Sequence, residues 1–252
     1  MEFNSSLLDK QKRNEFHTKE FIQCQMKVKN IAHADLIKAL DELAEVANQN
    51  AGRINKLDEI ISEVISDEFM KLYQEAKTRY ENLSVLAIKI SEIYLMVLDI
   101  YTYGTYGMLA NSEWDWRAFA RHFYTMLFEH IKTINTYLNT IIKILKQGID
   151  DVYDVETVNQ VKKDFSSFIN HNSEYAKHIR VNVDAHFDGD YIERLDLIKS
   201  LSYSDFIALY FEYISKMEAF LKALKPALEK LRLSADVSYH TLVAFSIQKS
   251  NK

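Results

Sequence analysis

Across its 252 residues the chain contains five glycines and one proline. A β architecture of this length needs a turn about every 8–12 residues. Those turns draw on glycine and proline to set their backbone angles. So few breakers leave long, uninterrupted helices as the economical solution. Hydrophobic residues make up 48% of the chain and charged residues 27%. That balance is globular and supplies enough apolar side chains for a sizeable core. We therefore expect an all-α, multi-helix bundle.

The formal net charge of -5 gives no global attraction to nucleic acid or to an anionic membrane. The most apolar stretch, residues 85–101, is interrupted by Lys89, Glu92 and Asp99. It reads as a core helix and not as a membrane span. Residues 1–12 lack the apolar core of a signal peptide. Cys24 is the single cysteine, which excludes an intramolecular disulfide and suits a reducing compartment. The expectation is a cytoplasmic protein with no membrane partner.

Apolar spacing divides the chain into helices. A weakly amphipathic helix is expected over residues 5–30. Asp35 caps the next, over 36–50, where Leu36, Leu40, Leu43 and Ala47 share a face. Ala51-Gly52 reads as its stop. Ile54, Leu57, Ile61, Val64 and Ile65 open a third helix that runs towards Tyr80. Asn82 or Ser84 caps a core helix to about Tyr103. Gly104-Thr105-Tyr106-Gly107 reads as a loop, though not a phosphate loop, because no Lys-Ser/Thr follows the glycines.

Asn111 or Ser112 caps a long helix over 113–147, with Gly148 as its stop and Trp114 and Trp116 stapling its start. Asp154 caps a further helix that should end near His186. A short helix follows over 191–201, and another starts at Ser204 or Asp205. Pro226 reads as a break, and residues 234–245 alternate loosely enough to be extended. Two regions are expected: an N-terminal helical region over 1–110, serving as a docking or dimerisation arm, and a helical bundle over 111–252.

Several reactive frameworks are absent. There is no Cys-x-x-Cys, no His-Glu-x-x-His, and no Glu-x-x-His of the di-iron type. Asp184, Asp188, Gly189 and Asp190 hint at a calcium loop, but His186 and Leu195 occupy positions that need ligand oxygens. His171, Glu174 and His178 share a helix face and could hold a metal. We read them as a polar face and expect no metal or other cofactor. Glu129-His130 and His122 on the long helix are read with the same caution.

One stretch is richer in chemistry than the rest. His178-Ile179-Arg180-Val181-Asn182-Val183-Asp184-Ala185-His186-Phe187-Asp188 holds an arginine, an asparagine, two histidines and two aspartates. Six steps at about 100° place Arg180 and His186 about 120° apart on an ideal helix. They converge only where the helix ends or distorts between them, or where a second copy completes the site.

Arg180-x5-His186, with Asn182 inside and Phe187-Asp188 behind, resembles the Arg-x4-6-His motif of HEPN domains. It is similar to the form found in bacterial abortive-infection and toxin–antitoxin systems. Val181 stands where that family usually has a polar residue, and Asn182 comes one position later. The resemblance covers about residues 112–224. It implies a HEPN-like bundle in the C-terminal half, with additional N-terminal helices. It further implies metal-independent RNA cleavage by a homodimer, with an inhibitor or antitoxin protein as partner.

In that reading Arg180, His186 and Asn182 are catalytic, and His178 and Asp184 bind substrate. Histidine would serve as general acid or base, and arginine would stabilise charge developing on the phosphate. Glu174, Asp184, Asp188, Asp190, Glu193 and Asp196 make an acidic rim, which is a poor funnel for RNA. A second class of function therefore stands beside the first: a non-catalytic helical interaction protein.

Overall fold

A computed structural model describes residues 19–61, 67–148, 152–184 and 191–250. The protein is all-α, with no strand among the described residues. The helices are α1 (Lys19–Ile61), α2 (Asp67–Leu109), α3 (Glu113–Gly148), α4 (Val152–Ile179), α5 (Tyr191–Ser200) and α6 (Tyr203–Ser250). Arg180–Asp184 continues α4 as a π-helical turn.

The elements are fewer and longer than the apolar spacing suggested. Helix α1 runs unbroken through Asp35 and Ala51-Gly52. Helix α2 runs through Asn82, Ser84 and the whole of Gly104–Gly107. Ser84 caps nothing: its hydroxyl donates to the Tyr80 carbonyl at 3.0 Å inside the helix. Helix α6 carries Pro226 in its interior and includes 234–245, so the expected break and extended tail are both replaced by helix. Pro226 is exposed, and the Lys222 carbonyl it cannot bond belongs to an exposed residue. Other expectations hold. Ser112 accepts a hydrogen bond from the Asp115 amide at 3.1 Å and caps α3. Gly148 is itself helical and is the last described residue of α3, and α5 falls where a short helix was expected.

The chain divides into two compact units, and the division falls within helices. The first comprises Tyr94–Thr136, Lys163–Ala219 and the described residues up to Ile37. Its core is aromatic. Trp116, Phe123, Phe165, Phe206 and Tyr213 are all buried, each ring contributing about 1.5–3 kcal/mol through burial. Phe123 meets Phe206 edge-on with ring centres 5.2 Å apart. Trp116 is part of this core, whereas Trp114 is 52% exposed and staples nothing.

Glycine explains how α2 fits that core. A Cβ on Gly104 would collide with the Tyr210 ring, and one on Gly107 would come within 2.6 Å of the Phe206 ring. The bare backbone lets two rings of α6 lie against it. Thr105 and Tyr210 share a buried hydroxyl hydrogen bond of 3.0 Å beside Gly104, and Tyr203 donates to the Met108 carbonyl at 3.0 Å.

The second unit comprises Lys38–Ile93, Tyr137–Lys162 and the chain from Phe220 onward. Leu57, Tyr80, Leu86, Leu138, Leu145 and Leu231 are buried in it. Arg53 pairs with Asp236 and donates to Tyr80 at 3.2 Å. Tyr80 in turn donates to Asp236 at 2.8 Å, a closed polar triangle. No described helix is long and apolar enough to cross a membrane.

Candidate functional site

The site lies at the end of α4, in the first unit. Val158, Phe165, Phe168, Ala176 and Ile179 bury one stripe of this helix, which fixes its rotation. After Ile179 the backbone widens into the π turn Arg180–Asp184, which packs on α5. A π turn is rare and often marks functional positions.

Arg180 opens the turn. Its Nε donates to Glu129 Oε1 of α3 at 3.0 Å. The guanidinium carbon lies 5.8 Å from the centre of the Phe128 ring. The Arg180 side chain is 35% exposed. Among the described residues no hydrogen bond to Nη1 or Nη2 is present. Glu129 also takes Lys132 at 3.2 Å. One carboxylate thus orients the guanidinium without occupying its fork, and a fork of this kind suits phosphate.

Asn182 turns to the other side of the helix. Its Nδ2 donates to the His178 carbonyl at 2.9 Å and lies 2.9 Å from His178 Nδ1. Both residues are exposed. The structure brings Asn182 and His178 together and gives them no hydrogen bond to Arg180. Asp184 closes the π turn. His186, and the side chain of Asp184, lie outside the described residues.

Glu174 pairs loosely with Lys177 at 3.8 Å. Among the described residues no three His, Cys, Asp or Glu side chains converge as a metal site.

A second polar group lies deeper in the same unit. His130, the neighbour of Glu129 on α3, is 6% exposed. Its Nε2 lies 3.9 Å from Asp99 Oδ2 on α2, and its Nδ1 has no hydrogen-bond partner among the described residues. Burial pushes the imidazole down to about 4, against the smaller opposing pull of Glu129, so it is neutral near pH 7. Burial also raises the Asp99 carboxyl. The Tyr213 hydroxyl is buried without a hydrogen-bond partner among the described residues, and it too is pushed up by burial and then by Asp99. The sequence held a signal for this group. His130 stands in line with Phe123, Leu127, Ile134 and Leu138 on the buried stripe of α3. A histidine on an apolar stripe is a buried histidine. Glu129 carried no comparable mark, because its role depends on a residue of α4 far away in the chain.

Comparison with family models, with curated proteins and with solved structures finds no match. The likeness to HEPN domains rests on the sequence from Arg180 to Asp188 alone.

Proposed function

We propose that this chain is a HEPN-type, metal-independent endoribonuclease, a phage-defence or toxin component of the cytoplasm. Its composite site joins Arg180, Asn182 and His186 of two protomers across a homodimer interface. A twofold interface brings one patch against its own copy, so two arginines and two histidines would share one groove. RNA is the substrate, and an inhibitor or antitoxin protein holds the activity in check.

The observation that supports this reading most is the π turn. On an unbroken α-helix Arg180 and His186 would diverge, and the helix distorts between them. The contact of Arg180 with Glu129 adds to it, since it engages Nε alone and Nη1 and Nη2 have no bond among the described residues, donors of the kind a phosphate requires. In the reaction His186 takes the proton of a ribose 2′-hydroxyl, and the oxygen attacks the adjacent phosphorus. The bond to the 5′-oxygen breaks, and that oxygen receives a proton from the protonated imidazole of the partner subunit's His186. Arg180 stabilises the charge on the phosphoryl oxygens in between. The products are a 2′,3′-cyclic phosphate and a 5′-hydroxyl.

The test is cleavage of total RNA by the purified full chain in excess EDTA, with end-group analysis. Expected is cleavage that leaves cyclic phosphate ends and falls on the order of a hundredfold in His186→Ala. Absence of cleavage, or cleavage abolished by EDTA, overturns the proposal. Light scattering supplies a second check, because a strict monomer contradicts a composite site.

A non-catalytic helical interaction protein is the other reading. It is favoured by the Glu129 carboxylate, which already neutralises Arg180, and by the acids around the motif. Under that reading Arg180 is a surface ion pair and the chain leaves RNA intact.

A further inference from the structure

Past Phe220, helix α6 presents two rows of side chains, both in the second unit. The inner row, Leu224, Ala227, Leu231, Ala235 and Leu242, is buried. On the outer row Leu233 is 61% exposed, Val237 67% and Ile247 56%. His240 and Ala244 stand between them and are exposed too. The outer row advances by alternating steps of four and three, the spacing of a coiled-coil seam. A single exposed leucine needs no explanation, but a contiguous exposed apolar row does. A cavity of about 550 Å³ opens over it, lined by Leu233, Val237, Ala244 and Phe245 together with the polar Asp236, His240 and Thr241, the Asp236 carboxylate being paired with Arg53.

The charge beside this row is unlike that of the chain. Lys222, Lys225, Lys230 and Arg232 stand against Glu229 just before it, all exposed, in a protein of net charge -5. Lys230 meets Asp154 at 2.6 Å, and Arg232 reaches Asp236 only at 4.0 Å.

These charges decide what can cover the row. A second copy laid parallel would put basic collar on basic collar. Laid antiparallel, it would put the collar on Gln248, Lys249 and Ser250, which offer no acid. We propose that the outer face of α6 from Leu233 to Ile247 docks an amphipathic helix of a partner protein, one with acidic residues flanking its apolar seam. The apolar row supplies the seam and the collar sets direction and register. This surface does not depend on Arg180 or on RNA cleavage.

The test uses the full chain and two synthetic amphipathic peptides with leucine at the seam positions. One carries glutamate on the flanks and the other lysine. Fluorescence anisotropy should show the glutamate peptide bound and the lysine peptide at least about thirtyfold weaker. Val237→Asp lies on the exposed row, so circular dichroism should be unchanged while binding weakens on the order of thirtyfold. Arg232→Glu should weaken it less and reduce its salt dependence. The proposal is overturned if neither peptide binds, if both bind alike, or if Val237→Asp binds as the wild type does. It is also overturned if light scattering shows a dimer that Val237→Asp dissociates, which would make a second copy the occupant. Retention on phosphatidylglycerol vesicles, lost in Val237→Asp, would make the face a lipid surface and overturn it equally.

Discussion

Gly104–Gly107 and Arg180–Asp184 are both short stretches inside long helices of the first unit, and they behave in opposite ways. The first contains two glycines and stays α-helical. The second contains no glycine or proline and departs from the α-helix. Glycine in α2 serves by its missing side chain, since Tyr210 and Phe206 occupy the space a Cβ would take. The π turn in the second stretch costs regular hydrogen bonding and has no breaker to explain it. Packing accounts for the first region. The second packs on α5, and a π turn is a geometry that often marks functional positions.

The contrast breaks most easily at the glycines. Gly104→Ala combined with Gly107→Ala should destabilise the fold on the order of 4 kcal/mol, because one new Cβ meets the inner atoms of the Tyr210 ring and the other the far edge of the Phe206 ring, and both rings are buried. Chemical denaturation measures it. If the double mutant is as stable as wild type, the glycines do not serve close approach.

The polar group around His130 gives the next effect. Its folded value, about 4, lies below its ordinary 6.5. A depressed histidine stabilises the fold above pH 6.5, and that contribution is lost as pH falls through 6.5 towards 4. The loss should approach about 3 kcal/mol. The raised Asp99 carboxyl acts in the opposite sense over the acid range. His130→Leu should flatten the profile between pH 6.5 and 4, and an unchanged slope would assign the effect elsewhere.

Smaller changes sharpen the comparison. A methyl group added at Gly52 in α1 would meet nothing within 4 Å. Gly52→Ala should therefore stabilise by about 0.5–1 kcal/mol, the helix-propensity difference alone. Thermal melting of this variant beside the Gly104 one separates a conformational glycine from a steric one. Asn182→Ala removes the side-chain bond to the His178 carbonyl at an exposed position. It should cost about 0.5 kcal/mol, and a loss of several times that would mean the bond holds the π turn.

The helical class was legible from the scarcity of glycine and proline, and the start of α3 from Ser112. The length of the helices was not. Gly52, Gly104, Gly107 and Pro226 each read as punctuation, yet space, exposure or ring packing decided their roles, and those are set by distant residues. Within the site, Arg180 stood out because its neighbours carry chemistry. The Glu129 contact was invisible, since no spacing links α3 to the end of α4. The outer row of α6 was hidden for a related reason: in sequence, buried and exposed leucines look alike.

The central claim is that Arg180 is held for function and not for stability. Arg180→Ala, followed by both RNA cleavage in EDTA and thermal melting, addresses it most directly. The ion pair with Glu129 is partly exposed, and such pairs contribute about 0–1 kcal/mol, so melting should shift by no more than a few degrees. Cleavage should fall on the order of a hundredfold. Cleavage left intact in a variant whose melting point drops sharply would make Arg180 a structural residue and contradict the account.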